Sequence, residues 1–217
     1  MIRDIVIVLA LVCCSAGVAG ADALEETQKN YPTDAYLVGV GMVQPSKDAY
    51  KNKRRAEILA RLEIAKMIKV TIKENTVDVM CERQGKTVYD SKSDCVSKFT
   101  MLVEESVDLV LEGSKIVDSG ESKGMYYAVA VLPKDQTAAR AEEAAKNAQQ
   151  QAREHLDKAK KAGAASVKKE ETDKAKAELR KSLAYAGEQT AIDKTRQHAD
   201  DAFNQLATEL HALEGAR

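Results

Sequence analysis

An α+β fold is what the sequence predicts: a two-layer antiparallel sheet with one long packing helix, continued by an Ala-rich tail that forms a helical hairpin or a coiled coil. Three observations carry this. A helix-period segment opening at Pro45-Ser46 follows a short apolar run of strand character. Runs of β-branched and apolar residues then recur as far as Leu132, with Gly-containing turns between them. Beyond Pro133 the chain has no further Pro or Cys, about one residue in four is Ala, and 16 basic residues balance 15 acidic ones. That is a mixed-charge helix rather than a polybasic tail. The divisions are a leader (1–21), a polar lead (22–30), the α+β domain (31–132) and the helical tail (133–217).

The leader has the layout of a secretory signal. Met1-Ile2-Arg3 starts positive, Ile5 to Val12 is unbroken apolar, and small residues follow. The apolar run is shorter than the ~20 residues that span a bilayer. Ala19-Gly20-Ala21 fits the small-x-small cleavage pattern, with Asp22 as the mature start. Leu11-Val12-Cys13-Cys14 offers a second reading, in which Cys13 or Cys14 receives a lipid; its alternative is that both are apolar filler in a discarded peptide. After cleavage two cysteines remain, Cys81 and Cys95. In an oxidising compartment such a pair reads as a disulfide, expected to join two strands at the base of a loop around Gly85. No His lies between residues 22 and 133 to make a metal site with them.

Ala35 to Val43 reads as a buried strand. Gly39 and Gly41 share one face, which predicts a close-packed neighbour, most simply a helix; Gly-x-Gly without a third Gly is a weak phosphate signal. Ser46 is the expected N-cap of the following helix, with Asp48 complementing its dipole. Ala49, Ala56, Leu59, Leu62, Ala65 and Ile68 are its expected buried face, and the basic cluster Lys51 to Arg55 its solvated one. Strand character then returns at Val70, Ile72, Val77 and Val79, at Phe99, Met101 and Val103, at Val107, Leu109 and Leu111, at Ile116-Val117, and at Met125 to Leu132, with a turn over 119–124. In the tail, helices are expected from about Lys134 to Ala162 and from about Val167 to Leu213, broken at Gly163 with Ser166 as cap. Ala199, Phe203, Leu206, Leu210 and Leu213 keep 4-3-4-3 spacing, an a/d seam that can close a hairpin or mate with a second subunit. The thin Ala seam predicts weak packing of the tail on the α+β domain.

Charge and composition exclude some functions. Lys plus Arg (33) against Asp plus Glu (34) leaves a net charge of -1, without the basic surplus a nucleic-acid binder uses to neutralise phosphates. Aromatics at 4% supply no base-stacking platform. His155, His198 and His211 are spaced so that no two share a helical turn, and Glu104-Glu105, read on a strand, face opposite ways. Of Tyr126 and Tyr127, one is expected in the core and the other at the rim. No catalytic motif occurs, so neither an enzyme nor a cofactor is expected.

The block Tyr31-Pro32-x-x-Ala35-Tyr36-Leu37-Val38-Gly39-Val40-Gly41, the helix Ala49 to Ala65 with Ala60-Arg61-Leu62, and Gly124-Met125-Tyr126-Tyr127-Ala128-Val129-Ala130-Val131-Leu132 resemble the LPP20 lipoprotein family. They are similar also to the N-terminal domain of flagellar ring and basal-disc proteins of the bacterial outer envelope. The resemblance covers about Tyr31 to Leu132. It implies an exported envelope protein, often anchored at the outer membrane, that acts by assembly; it carries over no functional residues. The expected function is therefore a structural or assembly component of the periplasm or outer membrane. Its expected partners are copies of itself or other envelope proteins, with outer-membrane association and no nucleic acid. The alternative is an enzyme or small-ligand binder using a cleft of the α+β domain.

Overall fold

The computed structural model describes residues 27, 29–75, 81, 88, 89, 91–111, 113–193 and 201–215. The readings at Cys13, Cys14, Ala19, Ala21, Val77, Val79, Gly85 and His198 lie outside them. The described elements form a mixed α and β fold with five helices and a three-stranded antiparallel sheet. Strand β1 (Tyr36–Val43) pairs with β3 (Met125–Pro133), and β3 pairs with β2 (Lys115–Ser122). The sheet order is therefore β1-β3-β2. Helix α1 (Ala49–Asn75) packs on β1 and β3. β2 and β3 join through Lys123-Gly124, both at positive φ (49° and 75°). That geometry matches the twist of the flanking strands and makes a two-residue hairpin. The predicted turn over 119–124 is correspondingly shorter, because Ser119 to Ser122 pair with β3.

The glycine pair is where sheet and helix meet. Gly39 lies opposite Ala130 and Gly41 opposite Ala128, and cross-strand partners share a face. A Cβ built on Gly39 falls 2.2 Å from the Ala60 carbonyl oxygen, and one on Gly41 falls 2.0 Å from that of Ala56. The close neighbour predicted from Gly39 and Gly41 is thus the backbone of α1. The space a phosphate would need there is filled.

Several strand expectations give way to helix. Val70 and Ile72 belong to the last turns of α1. Phe99 to Leu111 lie in a second helix, α2 (Lys92–Leu111), which also carries Glu104 and Glu105. Alternation puts Phe99 and Met101 on one face; instead Phe99 is 0% exposed and Met101 59%. Cys95, Phe99 and Leu102 keep helical spacing toward the core. A run of β-branched and apolar residues fits both periods, and burial decides between them.

The start of α1 also moves. Asp48 caps it, its carboxylate accepting the Lys51 N–H at 3.1 Å. Ser46 stands two residues earlier, its hydroxyl donating to Asn52 Oδ1 at 2.8 Å. The buried Asn52 amide returns a hydrogen bond to the Ser46 carbonyl at 2.9 Å, which fixes the entry of the chain into the helix.

The tail is a hairpin with a third helix laid against it. Helix α3 (Lys134–Lys161) starts directly from β3, with the Thr137 hydroxyl on the Pro133 carbonyl at 2.6 Å. α4 (Ala165–Ile192) returns antiparallel, and the break falls at Gly163 as expected. Ala164, not Ser166, is its cap position. The hairpin interface is made of small side chains: Ala138, Ala145, Ala152 and Ala159 on α3, and Ala175, Ser182 and Ala186 on α4. Gln149 Nε2 donates to Ser182 Oγ at 3.1 Å inside it. The expected single helix to Leu213 divides: α4 stops at Ile192, and α5 (Asp201–Gly215) packs on both α3 and α4. Phe203, Leu206 and Leu210 of the predicted seam are buried in this contact, so the seam is occupied within the chain.

Charge holds α5 to α3. Glu209 accepts from Arg153 Nη1 at 2.5 Å and Lys160 Nζ at 2.6 Å. These bonds, that of Arg153 first, pull its carboxyl from 4.5 down to about 2. A carboxylate whose value is depressed by folding stabilises the fold above its ordinary titration and loses that contribution as the pH falls toward the depressed value. Glu209→Gln is expected to lower the melting temperature slightly at pH 7. The difference from the parent should close between about pH 4.5 and pH 2; a difference that persists at pH 2 would show that packing, not charge, is what the substitution disturbs.

The tail is not set apart from the sheet domain, contrary to the weak packing expected from its composition. α4 packs against α1 and α2. Leu179, Leu183, Ala184 and Ile192 belong to the same continuous core as Ile64, Ile68, Val88, Tyr89 and Phe99. Arg180 adds a polar tie: its Nε donates to the Val88 carbonyl at 2.9 Å, and its guanidinium lies 4.9 Å from the Tyr89 ring. Burial pushes the Tyr89 hydroxyl up to about 12, against the opposing pull of Arg180.

Candidate functional site

Two rows of α1, each spaced by four residues, divide the helix between core and solvent. Asn52, Ala56, Ala60, Ile64, Ile68 and Ile72 are all buried. Tyr50, Arg54, Ile58, Leu62, Lys66 and Val70 are all exposed. Residues four apart form a ridge inclined to the helix axis, turning about 40° per step. The second row is therefore continuous but winds around α1, with Arg54, Ile58, Leu62 and Lys66 on one side of the helix. It presents Tyr50, Ile58, Leu62 and Val70 at 69%, 49%, 43% and 50% exposure. Leu59 and Leu62, expected in the core, stand outside it at 37% and 43%. The reason is the glycine pair: only a row of small residues lets the helix backbone reach β1, and Ala56 and Ala60 provide it.

Cations alternate with these apolar side chains. α1 holds eight basic residues against three acidic ones, in a chain of net charge -1. The acidic groups along the described part of the ridge are already engaged. Asp48 pairs with Lys51 at 3.5 Å, Glu57 with Lys53 at 3.9 Å, and Glu63 with Lys66 at 2.6 Å. Arg54 donates to the Tyr50 hydroxyl at 3.3 Å, and Arg61 Nε to Ser114 Oγ at 3.2 Å. Tyr50, Lys53, Arg54, Glu57, Ile58 and Arg61 line an open hollow of about 510 Å³. The hollow brings together three cations, the Glu57 carboxylate, the Tyr50 ring and hydroxyl, and the apolar Ile58.

Cys81 and Cys95 come together as the two remaining cysteines were expected to, with Cα atoms 5.8 Å apart and the sulfurs bonded. They do not join two strands. Cys95 lies in the first turns of α2, and Cys81 in the segment between α1 and α2, both with 0% exposure. The bond therefore anchors the start of α2. His155 accepts or donates at 2.7 Å with Glu171 across the α3–α4 hairpin, and His211 is exposed on α5. The Glu171 carboxyl lies below its ordinary value because His155 and Lys174 hydrogen-bond to it. Tyr126 packs against the core, and Tyr127 donates to Asp118 at 3.1 Å on the rim. Among the described residues no group of three or more His, Cys, Asp or Glu side chains could hold a metal ion.

No family model, curated protein or solved structure matches the chain. Sequence reasoning singled out the basic cluster but missed the ridge of Tyr50, Ile58 and Leu62 beside it. The missing signal was spacing: two apolar rows run along α1, and only one can face the sheet. Among the described residues no helix is long and apolar enough to cross a membrane.

Proposed function

We propose that this protein is a non-catalytic, exported envelope component that acts by structure and assembly in the periplasm or at the outer membrane. The observation that carries the reading is the fully buried Cys81–Cys95 bond, because disulfides of this kind persist in oxidising compartments. The secretory layout of residues 1–21 supports it. The resemblance to the LPP20 lipoprotein family belongs to the same proposal; the Gly39, Gly41 and Ala60 that carry it are packing residues. In this reading the sheet and α1 are a two-layer unit, and the α3–α4 hairpin is the tail element. Because the α5 seam is occupied within the chain, assembly contacts come from outward faces rather than from that seam. The small-ligand alternative is supported by the open hollow on α1.

Fractionation of expressing cells, followed by N-terminal sequencing and thiol titration, tests this. The expected chain starts near Asp22 in the envelope fraction and shows no free thiol until it is denatured and reduced. A lipid on Cys13 or Cys14 would establish the lipoprotein form of the same reading. Cys95→Ser is expected to cost about 3 kcal/mol, the loop-closure term for a bridge of this span. An intact Met1 in the cytosol with two titratable thiols would overturn the proposal.

A further inference from the structure

We infer that the outward ridge of α1 is a docking face for an anionic lipid surface, on which the helix lies flat. The inference rests on the envelope reading for the membrane it meets, and on the following geometry for the contact itself.

The part of the ridge that stays on one side of the helix, Arg54 to Lys66, extends about 18 Å at 1.5 Å per residue. Ile58 and Leu62 are exposed along it between Arg54 and Lys66. The adjacent row adds Lys51, Arg55 and Leu59, all exposed. Arg54 and Arg55 have no carboxylate partner among the described residues, while Asp48, Glu57 and Glu63 at the margins are each engaged with a lysine. On this side of the helix cations alternate with apolar side chains, the pattern of a helix lying at a lipid boundary. A headgroup layer uses both: the cations meet phosphates, and the apolar side chains enter the acyl boundary. Long Lys and Arg stems lie along apolar surface while their charges stay in the polar layer.

The test is flotation of the purified chain, as processed in cells, with vesicles of phosphatidylglycerol mixed with phosphatidylcholine and with vesicles of phosphatidylcholine alone. The chain is expected to float with the anionic vesicles at least tenfold more strongly, and less so as salt is raised. Arg54→Glu with Arg55→Glu, and separately Ile58→Glu with Leu62→Glu, should each weaken flotation at least tenfold, since each lipid-facing cation alone contributes roughly fivefold. All four side chains are exposed, so melting curves should show the fold intact. Lys158→Glu with Lys161→Glu on the exposed side of α3 should leave flotation unchanged. Three results overturn the inference: no binding to either vesicle, an equal loss from the α3 pair, or binding indifferent to Ile58→Glu with Leu62→Glu, which would mark a general anion surface such as an acidic protein seeks. A cytosolic chain retaining Met1 would defeat the envelope proposal while leaving the vesicle result standing. An exported chain that ignores anionic vesicles would defeat this inference alone.

Discussion

Gly41→Ala is expected to destabilise the protein by about 3 kcal/mol or more, at the upper end of what overpacking costs. The added Cβ would fall 2.0 Å from the Ala56 carbonyl oxygen, 2.5 Å from the Ala60 nitrogen and 2.9 Å from Leu59 Cβ. Two of those three atoms are backbone, so no rotamer change relieves the clash. The helix must lift off β1, and lifting it opens the packing of α1 on β1 and β3. Gly39→Ala should behave alike, since its Cβ meets the Ala60 oxygen at 2.2 Å. Gly163→Ala is the control: nothing lies within 4 Å of its Cβ, and it should be neutral or slightly stabilising. Urea unfolding of the three variants measures the differences. A Gly41→Ala midpoint matching the parent would mean that α1 does not rest on β1.

Truncation after Leu132 is expected to leave a fragment with no cooperative unfolding transition. The sequence favours the opposite outcome, a folded domain with a melting point a few degrees away, because Ala buries little area. What changes the expectation is α4, whose Leu179, Leu183 and Ile192 complete the core formed by Ile64, Ile68, Ile72 and Phe99. Removing the tail uncovers those side chains and leaves the Val88 carbonyl without Arg180. Since a whole domain is stable by only about 5–15 kcal/mol, losing several large buried side chains at once exceeds the margin. In the intact chain, Leu183→Ala alone should cost about 3 kcal/mol. Circular dichroism and a thermal melt of residues 22–132 decide the matter: a sharp transition near that of the full chain would show that α4 covers the core without completing it.

Some of this architecture was readable residue by residue. Gly39 and Gly41 on one strand face demand a close neighbour wherever the chain goes, and α1 supplies it. The pairing of Cys81 with Cys95 follows from there being no other cysteine beyond Cys14, although the elements it links do not. Gly163 marks the hairpin break because helical propensity is high on both sides of it. The segment 92–111 was not readable. Its apolar residues satisfy alternation and the 3.6 period together, and nothing local separates the two. Val70, Thr71 and Ile72 favour strands by propensity, yet they continue a helix whose buried row of small and branched residues already runs from Asn52.

The sequence by itself determined the local requirements: a close approach at the glycines, a break at Gly163, a disulfide partner for Cys81 in Cys95, and mixed charge through the tail. Tertiary structure alone decided which of two apolar rows on α1 is buried and which faces out. It also decided that Phe203, Leu206 and Leu210 turn inward within the chain and that α4 closes the core of the sheet domain. The physical reason is that burial is a property of pairs of surfaces. A row of residues states how much apolar area it offers, but the distance at which a neighbouring backbone can approach, set here by Gly39 and Gly41 against Ala56 and Ala60, selects which row is covered.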